Sequence, residues 1–168
     1  GHCIGIDPYY LVHKSMATGF IPDIMRTARE INDNMARNVV GRLVNAMVAR
    51  DLRVKGARVL VVGFTFKENC SDIRNTKVVD LVAHMHEWGV IPEVVDTWAD
   101  PEEVNEEYGL TIKTALPDRC DYDALVLAVA HDDVVRGGIE ALRALIRPGG
   151  VLFDMKAVFS INDSELRL

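Results

Sequence analysis

The chain has 168 residues, of which 49% are hydrophobic and 26% charged, a composition typical of a soluble globular protein. Its formal net charge of −6 argues against nonspecific binding to nucleic acid or to an anionic membrane surface, so a few placed cations would have to hold any anionic ligand. No apolar run approaches the roughly 20 residues that cross a bilayer, and no signal peptide is visible, so neither a nucleic-acid nor a membrane partner is expected.

The first twenty residues show no sustained periodicity, but they contain a candidate for chemistry. Glycines flank Cys3 on both sides and would let a ligand approach the backbone closely. A thiolate is a nucleophile when its pKa is lowered, and Asp7 follows four residues later, where it could orient a water or accept a proton. A lone cysteine is more often a small buried hydrophobe, which is our interpretation of Cys70 and Cys120.

The cysteine content and the first residue predict where this chain belongs. Three cysteines without paired spacing are not a disulfide framework, which predicts a reducing, cytoplasmic location. The chain starts with Gly1 instead of an initiator Met and enters a motif-like stretch at once, so we expect a fragment of a longer protein.

The stretch from Pro22 to about Arg50 has a helical pattern. Pro22 suits a first helical position, Asp23 favours the positive end of the helix dipole, and apolar residues recur in steps of three and four. Such a helix would be roughly 40 Å long. It could pack along one globular body, or it could join two domains and pair with a second copy of itself across a dimer axis. We favour the second interpretation.

Beyond a short hinge at 52–56 the pattern alternates between strands and helices. The apolar run at 59–62 is short and rich in β-branched residues, which is typical of a strand buried on both faces of a parallel sheet. Further strands are predicted at 94–96, 124–130 and 151–155, and helices at 78–88, 101–108 and 139–146, with a break at 147–150. This alternation predicts an α/β fold, a doubly wound, Rossmann-like parallel sheet.

In such a sheet the ligand lies beyond the carboxyl ends of the strands. Lys67 and Arg74 are the cations in the loop after the first strand, and Asp96, His131 and Lys156 follow the other strands. We expect His131, like His2, to be a hydrogen-bonded structural histidine, since no second ligand sits at metal spacing. The loop after the first strand lacks G-x-G-x-x-G, so the usual cradle for a dinucleotide pyrophosphate is missing.

Three long motifs, in order, resemble the UDP-glucose/GDP-mannose dehydrogenase family. They are GHCIGIDPYYL, the helix with REINDNM, and GFTFKENCSDIRNTKVVDL. The chain looks most like the bacterial UDP-N-acetylhexosamine 6-dehydrogenases of capsule and O-antigen synthesis, over their C-terminal half only. The resemblance implies that residues 1–55 end a catalytic loop and form a dimerisation helix, that residues 56–168 form a UDP-binding domain, and that the NAD-binding domain is absent.

The resemblance also implies a chemistry and a partner. The family oxidises the C6 alcohol of a UDP-sugar to a carboxylate with two NAD⁺ in succession, through a cysteine thiohemiacetal and thioester, as a homodimer. It implies these roles here: Cys3 and Asp7 catalytic; Lys67, Tyr9, Tyr10 and Lys156 substrate-binding; Arg74 cofactor-binding; no metal. The departure from the UDP-glucose enzymes at Ile6, where they have a lysine, favours an N-acetylated sugar.

Alternative functions remain open at this point. The substrate could be UDP-glucose or GDP-mannose. A stand-alone nucleotide-binding module without chemistry agrees with the missing glycine fingerprint, and an oligomerisation unit built on the long helix would also explain the first third of the chain.

Overall fold

A computed structural model describes residues 2–118 and 121–168. A 3-10 helix, His2–Gly5, precedes these elements: α1 Asp7–Ala17, α2 Asp23–Asp33, α3 Met35–Val48, β1 Arg58–Val62, α4 Val78–Glu87, β2 Ile91–Val95, α5 Pro101–Tyr108, β3 Ile112–Lys113, β4 Tyr122–Leu127, α6 Asp132–Arg143, β5 Ile146–Asp154 and β6 Leu166–Arg167. Neighbouring strands run parallel in one sheet, in the order β3-β2-β1-β4-β5-β6. The predicted α/β fold with a Rossmann-like parallel sheet is confirmed.

Both faces of the sheet are covered, which explains why its central strands read as continuous apolar runs. Val59 and Val61 of β1 face a core that includes α3 and α4, whereas Leu60 and Val62 face a second core with α6. The alternation follows from the two-residue period of a strand. Because α3 packs on the sheet, it belongs to the same body as the strands although it precedes the predicted hinge.

The long helix predicted over 22–50 is wrong as a single element. It is divided at Asn34, where ψ is −1° and the side-chain amide donates to the Glu30 carbonyl at 2.8 Å. An asparagine side chain that bonds the local backbone competes with helix continuation. The periodicity survives this one-residue interruption, which is why the pattern did not show it.

Other differences lie at the ends of elements. Helix α1 was not predicted, because its described side chains are all partly or fully exposed and leave no periodic apolar stripe. Helix α6 begins at Asp132, before the predicted start at 139, and Gly138 interrupts it. Strand β5 begins at Ile146 and includes the predicted break at 147–150, while the short strands β3 and β6 were missed.

None of the helices in the described residues combines the length and the apolar character that a bilayer-spanning segment needs.

Candidate functional site

The strand order reverses between β1 and β4, so the crevice beyond their carboxyl ends is the expected ligand position. The chain leaves β1 at Gly63, where φ is +91° and an added Cβ would lie 2.4 Å from the Cβ of Val129. The Val62 carbonyl accepts bonds from the Ala128 and Val129 amides, at 2.8 and 3.1 Å. Only glycine fits this crossing, which brings the loops after β1 and β4 together.

Asp96, directly after β2, organises the loop that follows β1. Its Oδ2 accepts bonds from the amides of Phe64 and Thr65 at 2.5 and 3.0 Å, and its Oδ1 from those of Trp98 and Ala99 at 2.7 and 2.9 Å. Burial of the carboxyl opposes ionisation, but the bonds from His131 and from these amides outweigh it and hold the Asp96 pKa well below its usual range. Asp96 is therefore a buried carboxylate that the protein itself satisfies.

His131 joins the same group from the end of β4. Its Nε2 lies 3.0 Å from Asp96 Oδ2 and 3.2 Å from Thr65 Oγ1, and its Nδ1 accepts a bond from the Asn69 amide at 3.0 Å. His131 is hydrogen-bonded, as we expected from the sequence. This contact joins two residues that the sequence analysis placed after two different strands, Asp96 and His131.

Two adjacent clefts open at this edge. The inner cleft, of about 170 Å³, lies between α3, the loop after β1 and the ends of β4 and β5, and Lys77 and Lys156 line it. The outer cleft, of about 410 Å³, reaches the amino-terminal segment at Gly5 and Ile6. Phe66 and Lys77 line both clefts, so these two residues border both spaces.

The predicted catalytic residues, Cys3 and Asp7, lie in the amino-terminal segment of the chain. Cys3 is exposed on the 3-10 helix, just before Gly5 and Ile6, which line the outer cleft. Asp7 is exposed in the first turn of α1. The segment that carries Cys3 and Asp7 therefore borders the outer cleft through Gly5 and Ile6.

The predicted cations are held differently. Arg74 makes a two-pronged ion pair with Asp72, through Nε at 2.9 Å and an Nη at 2.7 Å, and this pair raises the pKa of its exposed guanidinium. Lys67 is exposed and does not line either cleft, although it directly follows Phe66. Lys156 lines the inner cleft, and its amide donates to Asp154 at 3.1 Å.

The two predicted tyrosines lie on α1. Tyr10 is 73% exposed and lines neither cleft. Tyr9 donates a hydrogen bond to Asp33 of α2, with the Arg29 guanidinium 5.8 Å from the centre of its ring. The Tyr9 hydroxyl holds the Asp33 pKa below its usual value, and the carboxylate in turn raises the pKa of Tyr9. Tyr9 thus joins α1 to α2.

Sequence reasoning missed Lys77, the residue before α4. Its Nζ lies 3.4 Å from Asp33 Oδ1 and 3.2 Å from Asp80 Oδ2. Partial burial lowers the Lys77 pKa, but the carboxylates of Asp80 and Asp33 outweigh this and raise it. The available signal was its place at a helix start after a long polar loop, but only the fold shows that α2 supplies a carboxylate there.

The described residues of this edge do not fit a dinucleotide. Asp96 lies at the end of β2, where dinucleotide-binding sheets hold a ribose hydroxyl, yet its oxygens are buried and already accept the protein's own bonds. At the amino end of α4 the Val78 amide donates to Thr76 Oγ1 at 3.2 Å. Among residues 2–118 and 121–168, no three His, Cys, Asp or Glu side chains converge to hold a metal ion.

Comparisons with known proteins place this geometry in a family. Residues 60–161 match the UDP-glucose/GDP-mannose dehydrogenase family, UDP binding domain. The whole chain is 46% identical to a UDP-N-acetyl-D-glucosamine 6-dehydrogenase of Pseudomonas aeruginosa and 42% identical to one of Salmonella typhi. It covers 40% and 39% of those proteins, so the chain spans about two fifths of the length of the curated relatives it matches.

Two solved structures have the same fold as this chain. The NDP-N-acetyl-D-galactosaminuronic acid dehydrogenase of Methanosarcina mazei superimposes with a TM-score of 0.82 at 22% identity, over 97% of this chain and 35% of that one. The UDP-glucose dehydrogenase of Pyrobaculum islandicum gives a TM-score of 0.77 at 20% identity, over 99% of this chain and 36% of that one. These two structures share the fold, and the match of residues 60–161 to the family model shows that the chain belongs to the UDP-glucose/GDP-mannose dehydrogenase family and contains its UDP-binding domain.

Proposed function

We propose that this chain is the UDP-binding part of an enzyme that oxidises the C6 alcohol of a UDP-N-acetylhexosamine to a carboxylate. The observation that carries this proposal is the identity of 46% and 42%, over the entire chain, to two relatives named UDP-N-acetyl-D-glucosamine 6-dehydrogenases. The acidic sugar nucleotide so formed would serve the synthesis of a bacterial surface polysaccharide.

The clefts at the switch point supply the chemistry that a nucleoside diphosphate requires. The chain carries a net charge of −6, so a diphosphate needs local cations, and Lys77 and Lys156 line the inner cleft. Phe66 offers an aromatic surface beside them. Lys67 and the α1 tyrosines Tyr9 and Tyr10 would contact the sugar side of the substrate, and Arg74 would contact the cofactor after leaving Asp72.

The Cys3 thiolate would handle the aldehyde formed by the first oxidation. Its sulfur adds to the aldehyde carbon, and the former carbonyl oxygen takes up a proton, which gives that carbon both a hydroxyl group and a hydrogen. The second oxidation removes this hydrogen as hydride and the hydroxyl proton, leaving a thioester on Cys3. Water then attacks the thioester carbon, the C–S bond breaks, and the thiol and the carboxylate are released. Asp7 would orient this water.

The hydride acceptor is expected mainly outside this chain. NAD⁺, when bound, supplies the acceptor in each oxidation, and the overall balance is an alcohol, two NAD⁺ and one water giving a carboxylate, two NADH and three protons. Since the described sheet edge does not fit a dinucleotide, we propose that only Arg74 reaches the cofactor from here.

Calorimetric titration of the chain with UDP tests the binding part of the proposal. Lys156→Ala should weaken UDP binding about tenfold, as expected for one charge-assisted bond. Lys55→Ala removes the same charge just before β1, at the opposite edge of the sheet, and should leave the affinity unchanged. Absence of UDP binding would overturn the proposed function, while equal affinities of the two variants would overturn the assignment of the inner cleft.

The chemistry can be tested in a chimera. This chain would replace the matching two fifths of the Pseudomonas aeruginosa relative, and formation of NADH and uronate from UDP-N-acetylglucosamine would be followed. Cys3→Ala should reduce uronate formation by at least about 1000-fold, as loss of a covalent nucleophile does. Cys70→Ala, which removes the partly buried thiol, is the matched control and should retain activity. Undiminished acid formation by Cys3→Ala would refute the thioester mechanism.

We further propose that a second copy of the chain covers the apolar side chains that are exposed on α1, on α2 and in the turn between them. Ile24 and Ile31 of α2 are 87% and 60% exposed. Leu11, on α1, and Phe20, between α1 and α2, are exposed as well. Such side chains on neighbouring helices are typical of a protein interface. Sedimentation velocity should show a dimer, and Ile24→Asp with Ile31→Asp should give a monomer. A wild-type monomer at high concentration would contradict this.

A further inference from the structure

A buried polar cluster at the ends of β2 and β4 takes no part in the chemistry proposed above. His131 is 0% exposed, and Asp96 and Thr65 are each 1% exposed. A buried imidazole and carboxylate are costly to remove from water unless each polar atom finds a partner. Three of the partners here, the amides of Phe64, Thr65 and Asn69, come from the loop that leads from β1 to the clefts.

The hydrogen bonds assign one protonation state to His131. The Asn69 amide donates to Nδ1 at 3.0 Å, so Nδ1 carries a lone pair and the proton of the neutral ring is on Nε2. Nε2 lies 3.0 Å from Asp96 Oδ2 and 3.2 Å from Thr65 Oγ1. Thr65 donates its own hydroxyl proton to the Lys67 carbonyl at 3.0 Å, so its oxygen is free to accept from Nε2. The neutral Nε2–H tautomer satisfies all of these atoms.

His131 contacts the loop on both sides of Phe66, which lines both clefts. It bonds Thr65 before Phe66 and Lys67, and Asn69 after them. Asn69 has φ of 55°, a left-handed conformation that asparagine tolerates, and its side-chain oxygen accepts from the Asp132 amide at 2.9 Å. The segment 65–69 is therefore fixed at two points, and Phe66 and Lys67 lie between them.

We propose that His131, as the neutral Nε2–H tautomer, is a positioning residue that fixes segment 65–69 so that Phe66 meets the nucleotide in one conformation. The identity of the ligand rests on the proposed function, but the fixing of the segment does not. A histidine that merely fills core volume would be replaceable by another ring. Trp98 stacks on the imidazole at 6.0 Å between ring centres and an interplanar angle of 18°, so a phenyl ring would keep that packing.

Three substitutions separate the contacts of the two imidazole nitrogens. His131→Asn keeps an acceptor near the position of Nδ1 and loses the donor to Asp96, whereas His131→Gln keeps the donor and loses the acceptor. His131→Phe retains a ring against Trp98 and loses both contacts. Glu165→Gln is the control for stability alone, because its carboxylate bonds Arg143 and the Leu152 amide, away from segment 65–69.

Amide exchange and ring nitrogen spectra of the free 168-residue chain test the fixing directly. Exchange at the amide of Asn69 should be at least about tenfold faster in His131→Phe and His131→Gln, because these variants lose roughly one hydrogen bond to that amide. It should stay close to wild type in His131→Asn and Glu165→Gln. Nitrogen-15 spectra of the imidazole should show a proton on Nε2 at neutral pH. A proton on Nδ1, or unchanged exchange at Asn69 in His131→Phe, would overturn the proposal.

Titration with UDP tests the consequence for the ligand. His131→Phe should raise the UDP dissociation constant at least about tenfold, because one ordered contact with the ligand is lost. Glu165→Gln should leave the constant unchanged. Both variants are measured at a temperature where they are folded. Equal affinity of His131→Phe and wild type would refute the positioning role. If wild type binds no UDP, the proposed function fails, and the exchange at Asn69 alone decides whether His131 fixes the segment.

Discussion

Helices α2 and α3 are separated by one residue and have similar apolar periodicity, yet their environments differ. Helix α3 buries Ala36, Val39, Val40, Leu43, Val44 and Met47, whereas no described residue of α2 is fully buried. The reason is position: α3 packs on the sheet and against α4, while α2 packs with α1. An apolar stripe therefore shows that a face can be buried, and the fold determines whether the same chain buries it.

The largest expected contrast is between one leucine on α3 and one isoleucine on α2. Leu43 is fully buried, so Leu43→Ala should lower the free energy of unfolding by about 2–5 kcal/mol through lost burial and a residual cavity. Ile31 is 60% exposed, so Ile31→Ala should change it by about 0.5 kcal/mol or less. Urea unfolding followed by circular dichroism at low protein concentration measures both. A loss for Ile31→Ala as large as that for Leu43→Ala would show that α2 is covered in solution.

A second contrast sets the buried carboxylate of the sheet edge against an exposed one on α2. Backbone amides donate to both carboxylate oxygens of Asp96. Asp96→Asn replaces one of these acceptors with an NH2 donor, so it should lower the free energy of unfolding at pH 7 by about 1–3 kcal/mol. Asp23→Asn removes an exposed charge that pairs with Arg26 at 3.5 Å, and it should cost about 0.5 kcal/mol or less.

The pH dependence of this effect has a definite sign. The Asp96 pKa is lowered on folding, so its contribution is fully present above the unfolded pKa of about 3.9 and is lost as the pH falls from there toward the folded value. Wild type should therefore lose more stability than Asp96→Asn between pH 6 and pH 3. Glu165, whose pKa is also lowered, remains in both proteins and leaves the variant with a residual slope. Parallel pH profiles of the two proteins would contradict this account of Asp96.

The distinction between elements with a buried face and elements without one explains how much of the fold the sequence could predict. Val59 to Val62 predicted a central strand because β-branched runs of that length have few alternatives, and the edge residues Asp96 and His131 followed from strand ends alone. Helix α1 gave no signal because it has no described buried face. The role of Lys77 depends on Asp33, which is 44 residues away in the chain, and only tertiary packing brings them together.

The smallest expected effects come from substitutions in α2 and α3 at positions that carry no buried side chain. Gly41 lies inside α3, and an added Cβ would meet nothing within 4 Å, so Gly41→Ala should stabilise the chain by about 0.5–1 kcal/mol through helix propensity. Ala28→Gly on the exposed surface of α2 should destabilise it by a similar amount if α2 is as firmly helical as α3. If α2 frays before the sheet unfolds, Ala28→Gly will instead leave the unfolding midpoint unchanged and speed amide exchange within α2 alone. A destabilising Gly41→Ala would place another surface against α3, since the described chain leaves room for the methyl group.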